Sequence, residues 1–200
     1  MPAKRALKEY ERRRDFALTP EPPARARRSR TGRSFVVQKH RATALHYDFR
    51  LEVDGTMPSW AVPKGPSQNT KDKRLAMKVE DHPLDYAGFE GIIPEGEYGG
   101  GTVMVWDEGT YEPLETDDPA SALRRGELKF ELHGKKLKGR FTLVRTGGPR
   151  KWLLIKGRDR YASEKDIATE KPRSVKTRRL LAQIARDEGG NVEKAATGDP

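Results

Sequence analysis

From Phe35 onward, apolar and polar positions alternate in short runs separated by Gly or Pro: SFVVQKH, LHYDFRLEV, SWAVP, LAMKVE, TVMVWDEGTYEPL, LKFELHG, GRFTLVRT and KWLLIKG. Alternation with period two over roughly four to eight residues marks half-buried strands. With no helix-length pattern between most of them, the runs predict a mainly β fold, a largely antiparallel sandwich or barrel with short flanking α-helices. Residues 6–16 predict a short helix with Leu7 and Tyr10 on one face, which TPEPPARARRSRTGRS stops. DPASALRRG predicts another, capped by Asp118 and ended by Gly126. A third is expected over 174–188, ending at Gly189–Gly190, with the last ten residues read as a linker. The chain divides into a basic helix and arm (1–33), a barrel core (34–172) and a C-terminal helix with a tail (173–200).

Charge sharpens this division. The net charge is +10 over 200 residues. Residues 1–33 hold eleven Lys/Arg against four acids and residues 171–200 hold seven against four, leaving 34–170 balanced at twenty-two of each. Basic flanks on a neutral core suit a polyanion, because Lys and Arg that neutralise phosphates release counterions; a solubilising tail is the plainer alternative. Zero cysteines exclude disulfides, thiolate catalysis and Cys-ligated metals, so any metal must use His and carboxylate. No run approaches the ~18 apolar residues that cross a bilayer, and MPAKRALKEYERRRDF holds no secretory apolar region.

Strand parity then exposes candidate chemistry. In LHYDFRLEV, Leu45, Tyr47, Phe49, Leu51 and Val53 share one face; His46, Asp48, Arg50 and Glu52 share the other, at steps of roughly 7 Å. After a five-residue connection, RATAL, His40 can fold back beside His46, which gives two imidazoles and a carboxylate on one side of a cation. A lone H-x-D is ordinarily a solvated strand face. Here three of the four histidines lie in two patches that adjoin acids and bases; the second is VEDHPLDY, where Pro83 favours an extended His82 and Tyr86 follows on a short turn. His133, in ELHGKK, reads as an inert hairpin residue. Arg50, Lys64 and Arg74 offer fixed positive charge for a phosphate, and His82 could donate a proton or bind a phosphate oxygen. GIIPEGEYGGGTVMVWDEG lacks a G-K-[ST] ending and leads into a strand, so it reads as a glycine-rich hairpin and not a phosphate loop.

Taken together, RRRDFALTPEP, FVVQKHRATALHYDFRLEVDG, SWAVPKGPS, VEDHPLDYAGFEGIIPEGEYGGGTVMVWDEGTYEP, LKGRFTLVR and WLLIK closely resemble the 3′-phosphoesterase domain of bacterial DNA ligase D over roughly residues 5–172. That resemblance implies a β-barrel with a hydrophilic crevice for a divalent metal, Mn²⁺ first, with Zn²⁺ or Co²⁺ as other candidates. It implies processing of DNA 3′ ends on primer–templates in non-homologous end joining: a terminal ribonucleoside is cut away, and the 3′-phosphate left behind is hydrolysed to a 3′-OH. It further implies His40, His46 and Asp48 as metal ligands, with Arg50, His82 and Tyr86 as the phosphate-binding and acid/base set. Gln38, Lys64, Arg74 and Glu80 would support the site, and Arg14, Asp15 and Glu21 would belong to an N-terminal arm that completes it. Lys39, Lys78 and Gly157 depart from the family pattern.

The expected setting is a cytoplasmic, nucleoid-associated monomer, with ligase and polymerase domains of the same polypeptide as partners. Two other readings stay open at this point: a non-haem iron oxygenase built on the same two-His-one-carboxylate set, and a non-catalytic nucleic-acid-binding module with Trp60, Tyr98 and Trp106 as stacking or core aromatics.

Overall fold

The computed structural model describes residues 3–200. Its strands are β1 (Ser34–Arg41), β2 (Leu45–Leu51), β3 (Met57–Val62), β4 (Lys73–His82), β5 (Gly91–Ile93), β6 (Gly101–Leu114), β7 (Glu127–Gly134), β8 (Lys138–Gly147) and β9 (Lys151–Lys156). Its helices are α1 (Ala3–Ala6), α2 (Lys8–Arg12), α3 (Pro119–Arg125), α4 (Ile167–Glu170), α5 (Leu181–Glu188) and α6 (Val192–Ala196), with one 3₁₀ turn over Leu84–Gly88. The strands pair antiparallel in the order β1-β2-β3-β4-β9-β8-β7-β6, and β6 returns to β1, closing an eight-stranded barrel; β5 adds to β6 outside the ring. Closure removes the free edges that an open sheet would expose.

Alternation fills the barrel. Tyr47, Phe49, Leu51 and Val53 point inward with Trp60, Trp106, Tyr111, Phe130 and Phe141, all buried in one cluster. Trp60 and Trp106 are therefore core residues. His46, Asp48 and Arg50, on the opposite parity, face outward, where residues of the N-terminal segment and the turn after β4 cover them. The barrel interior is packed and the cleft lies outside it, between the β1–β4 wall and that covering segment.

Departures from the sequence pattern have local causes. The expected helix over 6–16 ends at Arg12 because Asp15 turns the chain: its carboxylate accepts from Ala17 N at 3.0 Å and its carbonyl from Leu18 and Thr19. The arm beyond is wrapped, with Thr19 and Glu21 buried. The helix expected from 174 begins only at Leu181. Ser174 Oγ accepts from Lys176 N at 3.0 Å and Thr177 N at 2.9 Å, and Arg178 sits at φ +65°, so a side-chain turn displaces the first helical turns. β5, three residues long, falls below what alternation can signal. α3 forms as expected, with Asp118 capping Ser121 N and Gly126 left-handed at the end. His133 lies in β7, not in a turn.

The last ten residues, expected as a linker, instead hold α6, and Asp199 behind it caps α5, accepting from Leu181 N at 3.0 Å and Ala182 N at 2.9 Å. The same carboxylate lies 3.9 Å from the ammonium of Lys39, which is buried at the inward parity of β1. Asp199→Ala removes a cap and leaves that ammonium without its counter-charge, so a loss of about 2 kcal/mol is expected in urea denaturation. An unchanged midpoint would contradict this role.

Candidate metal centre and phosphate cleft

Backbone register creates the proposed ligand set. β1 and β2 pair antiparallel with His40 opposite His46 and Gln38 opposite Asp48, which sets the imidazoles side by side, tilted by 57° with ring centroids 4.8 Å apart. Asp48 Oδ2 lies 3.6 Å from His40 Nδ1 and 3.6 Å from His46 Nε2, and the candidate ligand atoms of all three fall within 4.8 Å of one another.

The far nitrogen of each ring is already engaged. His40 Nε2 donates to the Gly99 carbonyl at 2.7 Å, and His46 Nδ1 donates to the Ala44 carbonyl at 3.1 Å. Each bond fixes a tautomer and leaves a lone pair on the nitrogen nearest Asp48, the arrangement by which outer partners orient metal-binding histidines. Two imidazole nitrogens and a carboxylate oxygen converging in this way fit a divalent cation of borderline hardness, such as Mn²⁺ or Zn²⁺. Gly99 is a member of the site that no side-chain pattern could reveal. It adopts φ +80°, and an added Cβ would lie 3.5 Å from His40 Cε1.

Arg50 joins this centre to the rest of the cleft. Its Nη2 is 3.2 Å from Asp48, its Nε donates to Gln38 at 2.8 Å, and its Nη1 is 3.0 Å from His82 Nδ1. Gln38 in turn donates to the carbonyls of Tyr86 at 2.8 Å and Phe89 at 2.9 Å, which holds the 3₁₀ turn against β1. The N-terminal segment supplies the opposite side. Arg14 Nε pairs with Glu21 at 3.0 Å, its Nη1 lies 3.4 Å from Glu80 and its Nη2 3.4 Å from His82 Nε2, while its guanidinium covers the Tyr10 ring at 3.8 Å. Tyr86 donates its hydroxyl to Glu21 at 2.7 Å. Arg14, Arg50, Glu80, His82 and Tyr86 line a cleft of about 210 Å³ with the candidate ligands, and Gln38 and Glu21 stand behind them.

Burial and charge set the protonation states. Burial pushes the Asp48 carboxyl up, but Arg50 and the two imidazoles outweigh it and hold the group well below the usual carboxylate range. Burial lowers the His46 imidazole, yet contact with Asp48 leaves it raised on balance. For His82, burial and then the guanidiniums of Arg50 and Arg14 all press downward, so the ring is neutral near pH 7. The imidazolium donor suggested by sequence is thus absent from the free protein. Tyr86 is driven well above its ordinary value, by burial and then by Glu21, and stays a phenol.

The sign of the resulting pH dependence follows. A histidine with a depressed folded pKa binds a proton in the unfolded chain first, so stability is lost as pH falls below about 6.5, by up to about 1.4 kcal/mol per pH unit. His46, raised on folding, contributes with the opposite sign: its stabilisation is present at low pH and lost as pH rises through its folded pKa. In chelator, between pH 6.5 and 5, His82→Gln should therefore show a shallower loss of stability with falling pH than the parent protein, measured by denaturant unfolding at each pH. Equal slopes would contradict a neutral buried His82.

Not every residue singled out by sequence reaches the cleft. Gln38, His40, His46, Asp48, Arg50, Glu80, His82, Tyr86, Arg14 and Glu21 come together. Asp15 is exposed and shapes the turn that carries Arg14 and Glu21 inward. Lys64 is exposed beyond β3. Arg74 pairs in register with the core residue Leu154, which sets it on the inward parity of β4, and it forms an ion pair with Asp72 at 3.1 Å. Tyr10, read only as a helix-face residue, packs edge-on against His82 at 5.1 Å and Tyr86 at 5.9 Å.

Residues 38–145 match the family described as the DNA Ligase D 3'-phosphoesterase domain. The chain is 52% identical over 189 residues to the multifunctional non-homologous end joining protein LigD of Pseudomonas aeruginosa, covering 90% of this chain and 22% of that protein. It is 50% identical over 149 residues to the multifunctional non-homologous end joining DNA repair protein LigD of Mycobacterium tuberculosis, covering 74% of this chain and 19% of the relative. With the LigD protein of Mycolicibacterium smegmatis it shares 42% identity over 170 residues, 81% of this chain and 22% of that one. The chain thus spans about a fifth of the length of these curated relatives. Among the described residues no helix is long and apolar enough to cross a membrane. The match covers both strands that carry the imidazoles, the β4 end that carries His82 and most of the barrel, and the chain belongs to the DNA ligase D 3′-phosphoesterase domain family.

Proposed function

We propose that this chain is a divalent-metal-dependent phosphoesterase that trims DNA 3′ ends for end joining, removing a terminal ribonucleoside and then hydrolysing the resulting 3′-phosphate to a 3′-OH. The observation that carries the reading is the juxtaposition of His40, His46 and Asp48, with lone pairs directed together, beside the guanidiniums of Arg50 and Arg14. When bound, the cation, Mn²⁺ by preference, supplies Lewis-acid neutralisation of charge on a phosphoryl oxygen. Arg50 has more N–H donors than protein partners, so it can bind a phosphate oxygen without releasing Asp48 or Gln38. Arg14 adds a second buried guanidinium on the far side of His82. The low dielectric of the cleft strengthens both, and pre-existing contacts to Gln38, Glu21 and Glu80 hold them in place before charge develops. His82 meets the substrate neutral; a phosphate beside it raises its pKa and allows it to take a proton from the cleft and return it to the leaving oxygen. Tyr86 and Glu21 orient Arg14 and the ring of His82. No step is assigned to Lys64, Arg74 or Asp15.

The same cations argue for phosphate chemistry in place of an oxygenase at this ligand set. A 5′-labelled primer–template ending in one ribonucleotide, incubated with Mn²⁺, Mg²⁺, Zn²⁺ or EDTA, tests the reading on a denaturing gel. Metal-dependent conversion to a 3′-phosphate and then a 3′-OH is expected. An unchanged primer under every metal would overturn it.

A further inference from the structure

Tyr98 is the exposed aromatic of the cleft wall. Of the three aromatics that sequence offered for stacking, Trp60 and Trp106 are fully buried, whereas Tyr98 is 46% exposed and lines the cleft beside Gly99. It is not a loose surface residue. The turn that carries it is closed by Glu97 N to Pro94 O at 3.2 Å and Gly100 N to Glu97 O at 3.0 Å, and Arg13 donates to its hydroxyl. The Arg13 guanidinium also lies over the ring, 4.8 Å from its centroid, with Arg14 at 5.7 Å. The next residue, Gly99, holds His40 through its carbonyl, so the ring stands one residue from a support of the metal centre. Ile93, Ala42, Ala61 and Val79 give the same cleft an apolar lining that a phosphate alone does not need.

We infer that Tyr98 is the platform on which the base of the departing 3′-terminal nucleoside stacks, a role that rests on the phosphoesterase reading and names what the cleft binds beyond the phosphate. In the first step water adds to phosphorus, the bond from phosphorus to the 5′ oxygen of the terminal nucleoside breaks, and the nucleoside leaves with a proton on that oxygen. Its base is then the only part of the leaving group with a flat apolar face. Every base has such a face, so stacking on Tyr98 accepts all four without reading sequence, and the neighbouring guanidinium of Arg13 adds a cation–π contact to the same ring. The second substrate, a 3′-phosphate end, carries no terminal nucleoside and makes no use of the platform. Tyr98 is thus a specificity-determining residue for one step of two.

The test compares Tyr98→Ala, Tyr98→Trp and the parent protein on three primers, ending in a ribonucleoside, an abasic ribose or a 3′-phosphate. Binding is read by fluorescence anisotropy in chelator, and turnover in Mn²⁺. Tyr98→Ala is expected to weaken binding of the ribonucleoside end, and to raise its KM, by about tenfold more than for the 3′-phosphate end, with kcat changing little; Tyr98→Trp restores both. The parent protein should bind the abasic end about as weakly as Tyr98→Ala binds the ribonucleoside end. Equal losses on all three ends, or no loss on any, would overturn the inference while leaving the phosphoesterase reading intact. A parent protein inactive on both the ribonucleoside and 3′-phosphate ends would instead overturn that reading, and the anisotropy arm would still decide whether Tyr98 senses the base.

Discussion

Asp48→Ala is expected to abolish processing of a ribonucleotide-ended primer, with a fall of at least about 10³-fold in turnover, equivalent to ~4 kcal/mol of lost transition-state stabilisation. Asp48 Oδ2 is the point toward which both imidazoles converge, and it is also the counter-charge of Arg50. Its removal therefore takes away a proposed metal ligand and frees the guanidinium that should bind phosphate. Because Asp48 is buried and paired, the variant also loses stability, by about 3–5 kcal/mol for an uncompensated charge left behind. His46→Ala separates the two effects. Its ring is the more exposed of the pair, with 23% of the side chain in solvent, so the fold should survive while activity is lost as severely. Thermal denaturation in chelator checks the fold and the gel assay the activity; full activity in a folded His46→Ala protein would contradict the ligand set.

Arg50→Lys is the second large effect, expected at about 10²–10³-fold in turnover despite the retained charge. Arg50 touches Asp48, Gln38 and His82 through three different nitrogens, and its guanidinium carbon lies 4.9 Å from the centroid of the Tyr86 ring. An ammonium is a single point of charge on a flexible stem and cannot hold three partners in a plane while binding phosphate. Loss of the bond to Gln38 also frees the carboxamide that anchors the Tyr86 turn. Comparison of kcat and KM on the 3′-phosphate primer checks this, and wild-type values for the lysine variant would show that charge alone suffices.

Strand parity made the face that carries the candidate ligands legible. Alternation in LHYDFRL placed Tyr47, Phe49 and Leu51 in the core and His46, Asp48 and Arg50 on one outer face, because a pleat admits only two faces. The short RATAL connection made His40 a neighbour of His46, and the antiparallel register fixed the pair. Where geometry depends on contacts distant in sequence, the pattern was silent. Nothing in EYGGG announces that the Gly99 carbonyl orients His40, since backbone atoms carry no residue code. Motif resemblance pointed to Arg14 and Glu21, but only the wrapped arm explains them: Glu21 accepts from both Arg14 and Tyr86, joining the N-terminal segment to the 3₁₀ turn. Arg74 shows the converse, a cation close to the site in sequence motif whose strand parity turns it inward. The 174–180 turn and the docked Asp199 likewise rest on paired side-chain bonds that periodicity does not register.

In the proposed reaction His40, His46 and Asp48 hold the cation on which end processing depends. The most direct measurement titrates chelator-treated protein with Mn²⁺ while following bound metal by electron paramagnetic resonance and removal of a 3′ ribonucleotide in the same samples. Activity should rise in step with one manganese per chain, and both signals should vanish together in Asp48→Ala. Full activity in chelator, or tight manganese binding and turnover that persist without Asp48, would contradict it.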